Sequence, residues 1–167
     1  MKAYKELIQS LDQLVTVYRH LLDAVRKENE VLIAANLAEI PVINEAKEKL
    51  VHKVRALDAK WQHSATQIAN QLKLDNKQPS LLDLSRYVEG EQKTKIEQLH
   101  SVLNMLVNRI MELNKKNEVL VKSALSHITG AMDSITSTLN ENPTYKQSGG
   151  MEPKNQDAQG RLVYKEA

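Results

Sequence analysis

Apolar residues recur every seven positions through the first part of the chain, at Tyr4, Leu11, Tyr18, Val25 and Leu32. Leu7, Leu14 and Leu21 form a second seam, and Ile8, Val15 and Leu22 widen the pair into a stripe. Such a stripe is the face of a helix that lies along other helices, and it predicts a helix over residues 2–35. Asn36-Leu-Ala-Glu39 then has the Asn-x-x-Glu spacing of a capping box, with Pro41 close behind, where a missing N–H matters least. A second helix follows, with Ile40, Ile43, Leu50, Val54, Leu57, Trp61 and Ile68 on one face. Lys47 and Ser64 interrupt that face, and the lysine is expected to lay its stem along apolar neighbours with its ammonium in water.

Asp75-Asn-Lys-Gln-Pro-Ser80 concentrates turn-forming residues. Ser80, with Asp83 three positions on, predicts the cap of a short helix over residues 81–88, ended or kinked by Gly90. The third long helix carries Ile96, Leu99, Leu103, Leu106, Ile110, Leu113, Asn117, Leu120 and Ala124 at alternating spacings of three and four. Val102, Val107, Val121 and Ile128 broaden its face. Asn117 occupies a seam position, where a polar side chain sets register at some cost in stability. Gly130 costs about 1 kcal/mol relative to Ala inside a helix, so the stretch from Met132 to Leu139 is its weakest part. Short connections make neighbouring helices antiparallel. The expected fold is all-α: an elongated, coiled-coil-like antiparallel three-helix bundle over residues 1–139, with the short extra helix covering one end. Residues 140–167 hold two prolines, three glycines and many amides with no apolar period, and are expected to form a flexible tail, disordered or ordered by a partner.

Charge changes this picture little. Lys and Arg number 23 against 21 acidic residues, a net charge of +2 that gives no pull towards nucleic acid. Runs such as Glu45-Ala-Lys-Glu-Lys49 read as an exposed, ion-paired face. The absence of Cys excludes disulfides and thiolate metal sites, and the absence of Phe leaves the core to Leu, Val, Ile, Ala and Trp61. The opening Met-Lys-Ala-Tyr-Lys-Glu lacks the apolar run of a signal peptide, and no stretch has the length of a membrane span. A cytoplasmic location with no membrane insertion is expected.

Two chemical sites are weighed and set aside. Glu97-Gln-Leu-His100 matches the Glu-x-x-His element of di-metal bundles, but such centres need a second copy and two more inward carboxylates. Glu48 and His52 have a different spacing. His20, His52, His63, His100 and His127 lack the context of a phosphotransfer histidine and read as surface residues. Neither a metal nor a cofactor is expected, and the chain reads as a binding protein, not an enzyme.

Leu113-Asn-Lys-Lys-Asn117-Glu-Val-Leu120, then Leu125, then Pro143-Thr-Tyr145 ahead of Gly149-Gly150, resembles the FlgN family of flagellar export chaperones. The helix opening near residue 1, the start at Asn36 leading into Lys47-Glu-Lys-Leu50, and the terminal Ala agree, so the resemblance covers nearly the whole chain. The polar segment after Gly150 departs from it. The resemblance implies a cytoplasmic chaperone that binds the C-terminal helices of hook-associated (hook–filament junction) proteins and keeps them unassembled. It would deliver them to the flagellar type III export gate, with the export ATPase as a further partner.

A long helix with a wide apolar face suits that task, because amphipathic helices dock into such grooves. Substrate binding is expected on the C-terminal half of the third helix, at Leu120, Val121, Ala124, Leu125, Ile128, Met132, Ile135 and Leu139. Leu120 and Ala124 serve equally well to close the bundle. The resemblance further implies that Tyr145 docks on the export gate. The rival reading is a scaffolding coiled coil that self-associates through the same stripes.

Overall fold

The computed structural model describes residues 2–76 and 78–141. Four helices account for most of them: α1 (Lys2–Ile33), α2 (Ile40–Gln71), α3 (Leu81–Ser85) and α4 (Glu91–Glu141). No strand occurs among the described residues. The Cα positions divide the chain into two compact units, residues 1–122 and 123–167.

The first unit is a three-helix bundle. α1 buries Leu7, Leu11, Leu14, Val15, Leu21, Leu22 and Val25, the seams read from the sequence. α2 adds Val54, Leu57, Ala65 and Ile68, and α4 adds Ile96, Leu99, Leu103, Leu106, Ile110 and Leu113 to one continuous core. Tyr4, Ile8, Tyr18, Leu50, Trp61 and Val102 pack around it half-buried. Burying one such aliphatic side chain contributes about 1.5–3 kcal/mol, so this shared cluster holds the three helices together.

The polar contacts fix the directions of the helices. Tyr4 donates its hydroxyl to the Gln92 carbonyl at 3.1 Å, and Asn29 donates to Asn117 at 2.8 Å, both 88 positions apart. A constant offset means that α1 and α4 run parallel. Lys47 of α2 meets Glu28 of α1 at 2.7 Å, while a shallow pocket at the other end is lined by Lys2, Ala3, Gln67 and Asn70. α2 therefore runs antiparallel to α1, and the order is up, down, up.

Both α1 and α2 end in the same way, without the glycine that such closures commonly carry. Ala35 (φ 54°) and Lys73 (φ 53°) take the left-handed conformation. Around Ala35, the Asn36 N–H reaches the Val31 carbonyl at 3.0 Å and the Ala35 N–H reaches Leu32 at 3.2 Å. The Leu74-to-Ala69 and Lys73-to-Asn70 bonds repeat the pattern. These are Schellman closures built on residues that have a Cβ.

The start of α2 corrects the expected capping box. Asn36 begins a 3-10 turn, Leu37–Glu39, and its side chain makes no cap hydrogen bond. Instead Asn36 Nδ2 donates to the Glu39 carboxylate at 2.6 Å, side chain to side chain. The reason is local: with α1 closing through the Asn36 N–H, the backbone turns once more before α2 begins at Ile40. The Ser80 cap does form, and completely. Asp83 N–H donates to Ser80 Oγ, while the Ser80 N–H and Oγ–H donate to the Asp83 carboxylate. α3 is shorter than the sequence suggests, ending at Ser85 before Gly90, whose φ is +64°.

Those Ser80 hydrogen bonds hold the Asp83 carboxyl below its ordinary value of 3.8. A carboxylate whose folded pKa is lowered contributes stability above its unfolded pKa and loses it as pH falls through the folded value. α3 should therefore keep its cap at neutral pH and fray only below about pH 4. The Asp83 amide and carboxyl resonances followed by NMR from neutral pH into acid check this: they should move together, with a midpoint below that of an unfolded peptide.

Gly130 does not interrupt α4, which runs for 51 residues. A Cβ built on Gly130 meets no atom within 4 Å, and its φ is not left-handed. Gly130→Ala should stabilise this part of α4 by up to about 1 kcal/mol. It would read as increased helicity and slower amide exchange around residue 130.

A candidate helix-docking face on α4

The core stripe of α4 ends at a polar layer. Asn117 is 4% exposed. Its Nδ2 donates to the Val25 carbonyl at 3.1 Å and to Glu28 Oε2 at 2.9 Å, and its Oδ1 accepts from Asn29 at 2.8 Å. Lys47 donates to the same Glu28 oxygen at 2.7 Å, with the two side chains only 22% and 12% exposed. One asparagine, one carboxylate and one ammonium thus tie α4, α1 and α2 together, and no buried side-chain polar atom among the described residues lacks a partner. The Lys47 ammonium, expected to reach water, is paired with Glu28. Sequence reasoning found Asn117 and missed its partner, although Glu28 stands on the Leu21, Val25, Leu32 stripe, where a carboxylate needs a cation.

Beyond Asn117 the apolar pattern of α4 continues with no fully buried residue among the described ones. Leu120 and Ala124 are half-buried. Val121, Leu125, Ile128, Met132, Ile135 and Leu139 are all exposed. Their spacing of four, three, four, three and four sets them in one line along the helix. Single exposed leucines are ordinary on protein surfaces; six large apolar side chains in register are not. The polar flank of this stretch is made of Ser, Thr and Ala with very few charges.

The other candidates do not assemble into sites. Glu97 is exposed, and His100 lies half-buried with its Nε2 3.3 Å from Asn104 Nδ2. No group of three or more metal-ligating side chains occurs among the described residues. His20, His52, His63 and His127 are exposed. An open groove lies between the starts of α1 and α4, lined by Tyr4, Lys5, Ile8, Gln92 and their neighbours. The 3.1 Å Asp12–Lys95 ion pair joins its two walls. No helix of the described residues is long and apolar enough to cross a membrane. Tyr145, and the tail from residue 142 onward, lie outside the described residues.

These features define a class: a helical bundle in which one helix carries an uncovered apolar seam. The FlgN family model, described as FlgN protein, matches residues 1–153, and the chain belongs to that family of flagellar export chaperones. No curated protein and no solved structure matches the chain.

Proposed function

We propose that the chain is a cytoplasmic chaperone that holds the C-terminal helices of hook-associated proteins on the α4 seam from Leu120 to Leu139, without catalysis or cofactor. Bound there, those helices are kept from assembling until they reach the type III export gate, with the export ATPase as a second contact on the export machinery. The observation that carries this reading is the exposed line Val121, Leu125, Ile128, Met132, Ile135 and Leu139. An amphipathic helix laid in that line covers the apolar surface of both molecules, and its burial drives the association. No nucleotide-binding motif occurs in the sequence, so release falls to the export machinery.

Sedimentation of the chain with and without a C-terminal fragment of a hook-associated protein tests the proposal. A chaperone sediments as a defined complex only when the fragment is added. A chain that associates with itself through the seam, and ignores the fragment, would be a scaffold.

Tyr145 is the proposed contact with the gate. It is a large amphipathic ring flanked by Pro143 and the Gly149-Gly150 pair, and tyrosines anchor interfaces at low side-chain entropy cost. Tyr145→Ala should leave folding and fragment binding unchanged while weakening capture of the loaded chaperone by the gate's cytoplasmic domain at least tenfold. A pull-down in which the loaded variant matches wild type would remove Tyr145 from the mechanism.

A further inference from the structure

The sequence beyond α4 holds one feature that the family reading does not use. In residues 142–167 the large apolar residues are Tyr145, Met151, Leu162, Val163 and Tyr164, and only the last three stand together. The family match stops at residue 153 and does not reach them. Arg161 and Lys165 flank the triplet, and the stretch before it is rich in Asn, Gln and Gly. Apolar side chains gain by leaving water, and these neighbours offer them nothing to leave it for.

Length puts the triplet within reach of the uncovered seam of α4. Residues 142–161 form a tether of 20 residues between Glu141, the last residue of α4, and Leu162. A polar tether of that length has a root-mean-square span of about 25 Å. The seam from Leu139 back to Val121 begins about 3 Å and ends about 30 Å from the same helix end. Tether and seam therefore match, and such a match supplies an effective concentration on the order of 1 mM. The spacing fits too. In an extended segment Leu162 and Tyr164 share one side about 6.7 Å apart, while successive seam residues lie about 4.5–6 Å apart along the axis of α4.

We infer that the chain's own segment Arg161–Lys165 occupies the α4 seam when no substrate is bound, with Leu162 and Tyr164 against the seam residues, and that substrate helices bind by displacing it. This rests on the reading that the seam holds substrate helices, and it adds how access to the seam is regulated. An apolar pair covers only part of the line from Val121 to Leu139, so a helix that covers all of it wins the competition. At an effective concentration of about 1 mM, a segment with an intrinsic dissociation constant of about 0.2 mM is seated in most chains, and an incoming helix binds about sixfold more weakly. The seam is shielded from unrelated apolar surfaces and still opens to a matching helix.

The chain has no Cys, so Lys165→Cys accepts a single nitroxide label. In the free full-length chain the label should broaden the amide signals of residues 123–139, and addition of a hook-associated C-terminal fragment should restore them. Leu162→Asp combined with Tyr164→Asp should abolish the broadening and tighten fragment binding, read by calorimetry, about sixfold. Its thermal melt should match wild type. Seam amides that stay sharp, or a variant that binds the fragment with wild-type affinity, overturn the inference and leave the chaperone reading intact. Broadening that arises only between a labelled chain and an unlabelled, isotope-enriched one would place the segment on a second copy and overturn it as well. If the fragment binds neither chain, the chaperone reading falls and takes the displacement with it.

Discussion

Ile128→Asp combined with Ile135→Asp should abolish binding of the hook-associated fragment while the bundle melts as in wild type. The two side chains are 50% and 60% exposed, and neither belongs to the core cluster. Removing them costs the free chain only the lower helix propensity of Asp, a few tenths of a kcal/mol each. In the complex each isoleucine would contribute about 1.5–3 kcal/mol by burial, and each aspartate would add an unpaired charge to an apolar contact. Together these exceed about 4 kcal/mol, a loss of affinity of about a thousandfold. Calorimetry reads the binding and a thermal melt reads the fold. Unchanged binding would place the substrate elsewhere on the chain.

The largest effect on stability should come from the polar layer. Asn117→Ala removes the partner of Asn29 and one of the two donors to Glu28, inside a largely buried site. Unsatisfied buried groups cost about 1–3 kcal/mol each, and more for charged ones. A total near 3 kcal/mol, or roughly 10 °C in Tm for a chain of this size, is expected. Lys47→Met should cost about 2 kcal/mol, below the usual figure for breaking a buried pair because the lysine retains some exposure. The two losses should not add, since both act on the same carboxylate oxygen. Replacing Glu28, Asn117 and Lys47 together by Leu, Leu and Met should recover most of the stability, because no charge then remains to be satisfied. Thermal melts of these variants and of the Asn117→Ala, Lys47→Met double variant check this, and additive losses in the double would show that the layer is not one network.

The sequence pattern reaches the fold because each helix of the bundle buries one stripe. Leu7 to Val25, Val54 to Ile68 and Ile96 to Leu113 were all readable from spacing, and the core is formed from them. The helix ends were less readable. Glycine is the usual sign of a left-handed closure, and α1 and α2 close on Ala35 and Lys73 instead. Asn36 and Glu39 had the spacing of a capping box, but spacing does not reveal that the Asn36 N–H is already committed to ending α1. Ser80 and Asp83 had the same kind of spacing with no competing demand, and there the box forms.

For the candidate site, the pattern gave the residues but not their fates. Leu113 and Leu125 stand on the same stripe of α4, and nothing local distinguishes the buried one from the exposed one. The difference arises from the offset of 88 between α1 and α4, which brings the end of α1 level with Val121. Val121 is the first residue of the apolar line beyond the Asn117 layer, and the exposed line runs on from it to Leu139.

Amide hydrogen exchange of the full chain, with and without the hook-associated C-terminal fragment, tests the central claim most directly. Exchange reports local opening, which is fast where a helix lacks tertiary contacts. The fragment should slow exchange across residues 123–140, with α1 and α2 unchanged. Protection that appears along α1 or α2 and leaves residues 123–140 as fast as in the free chain would contradict it.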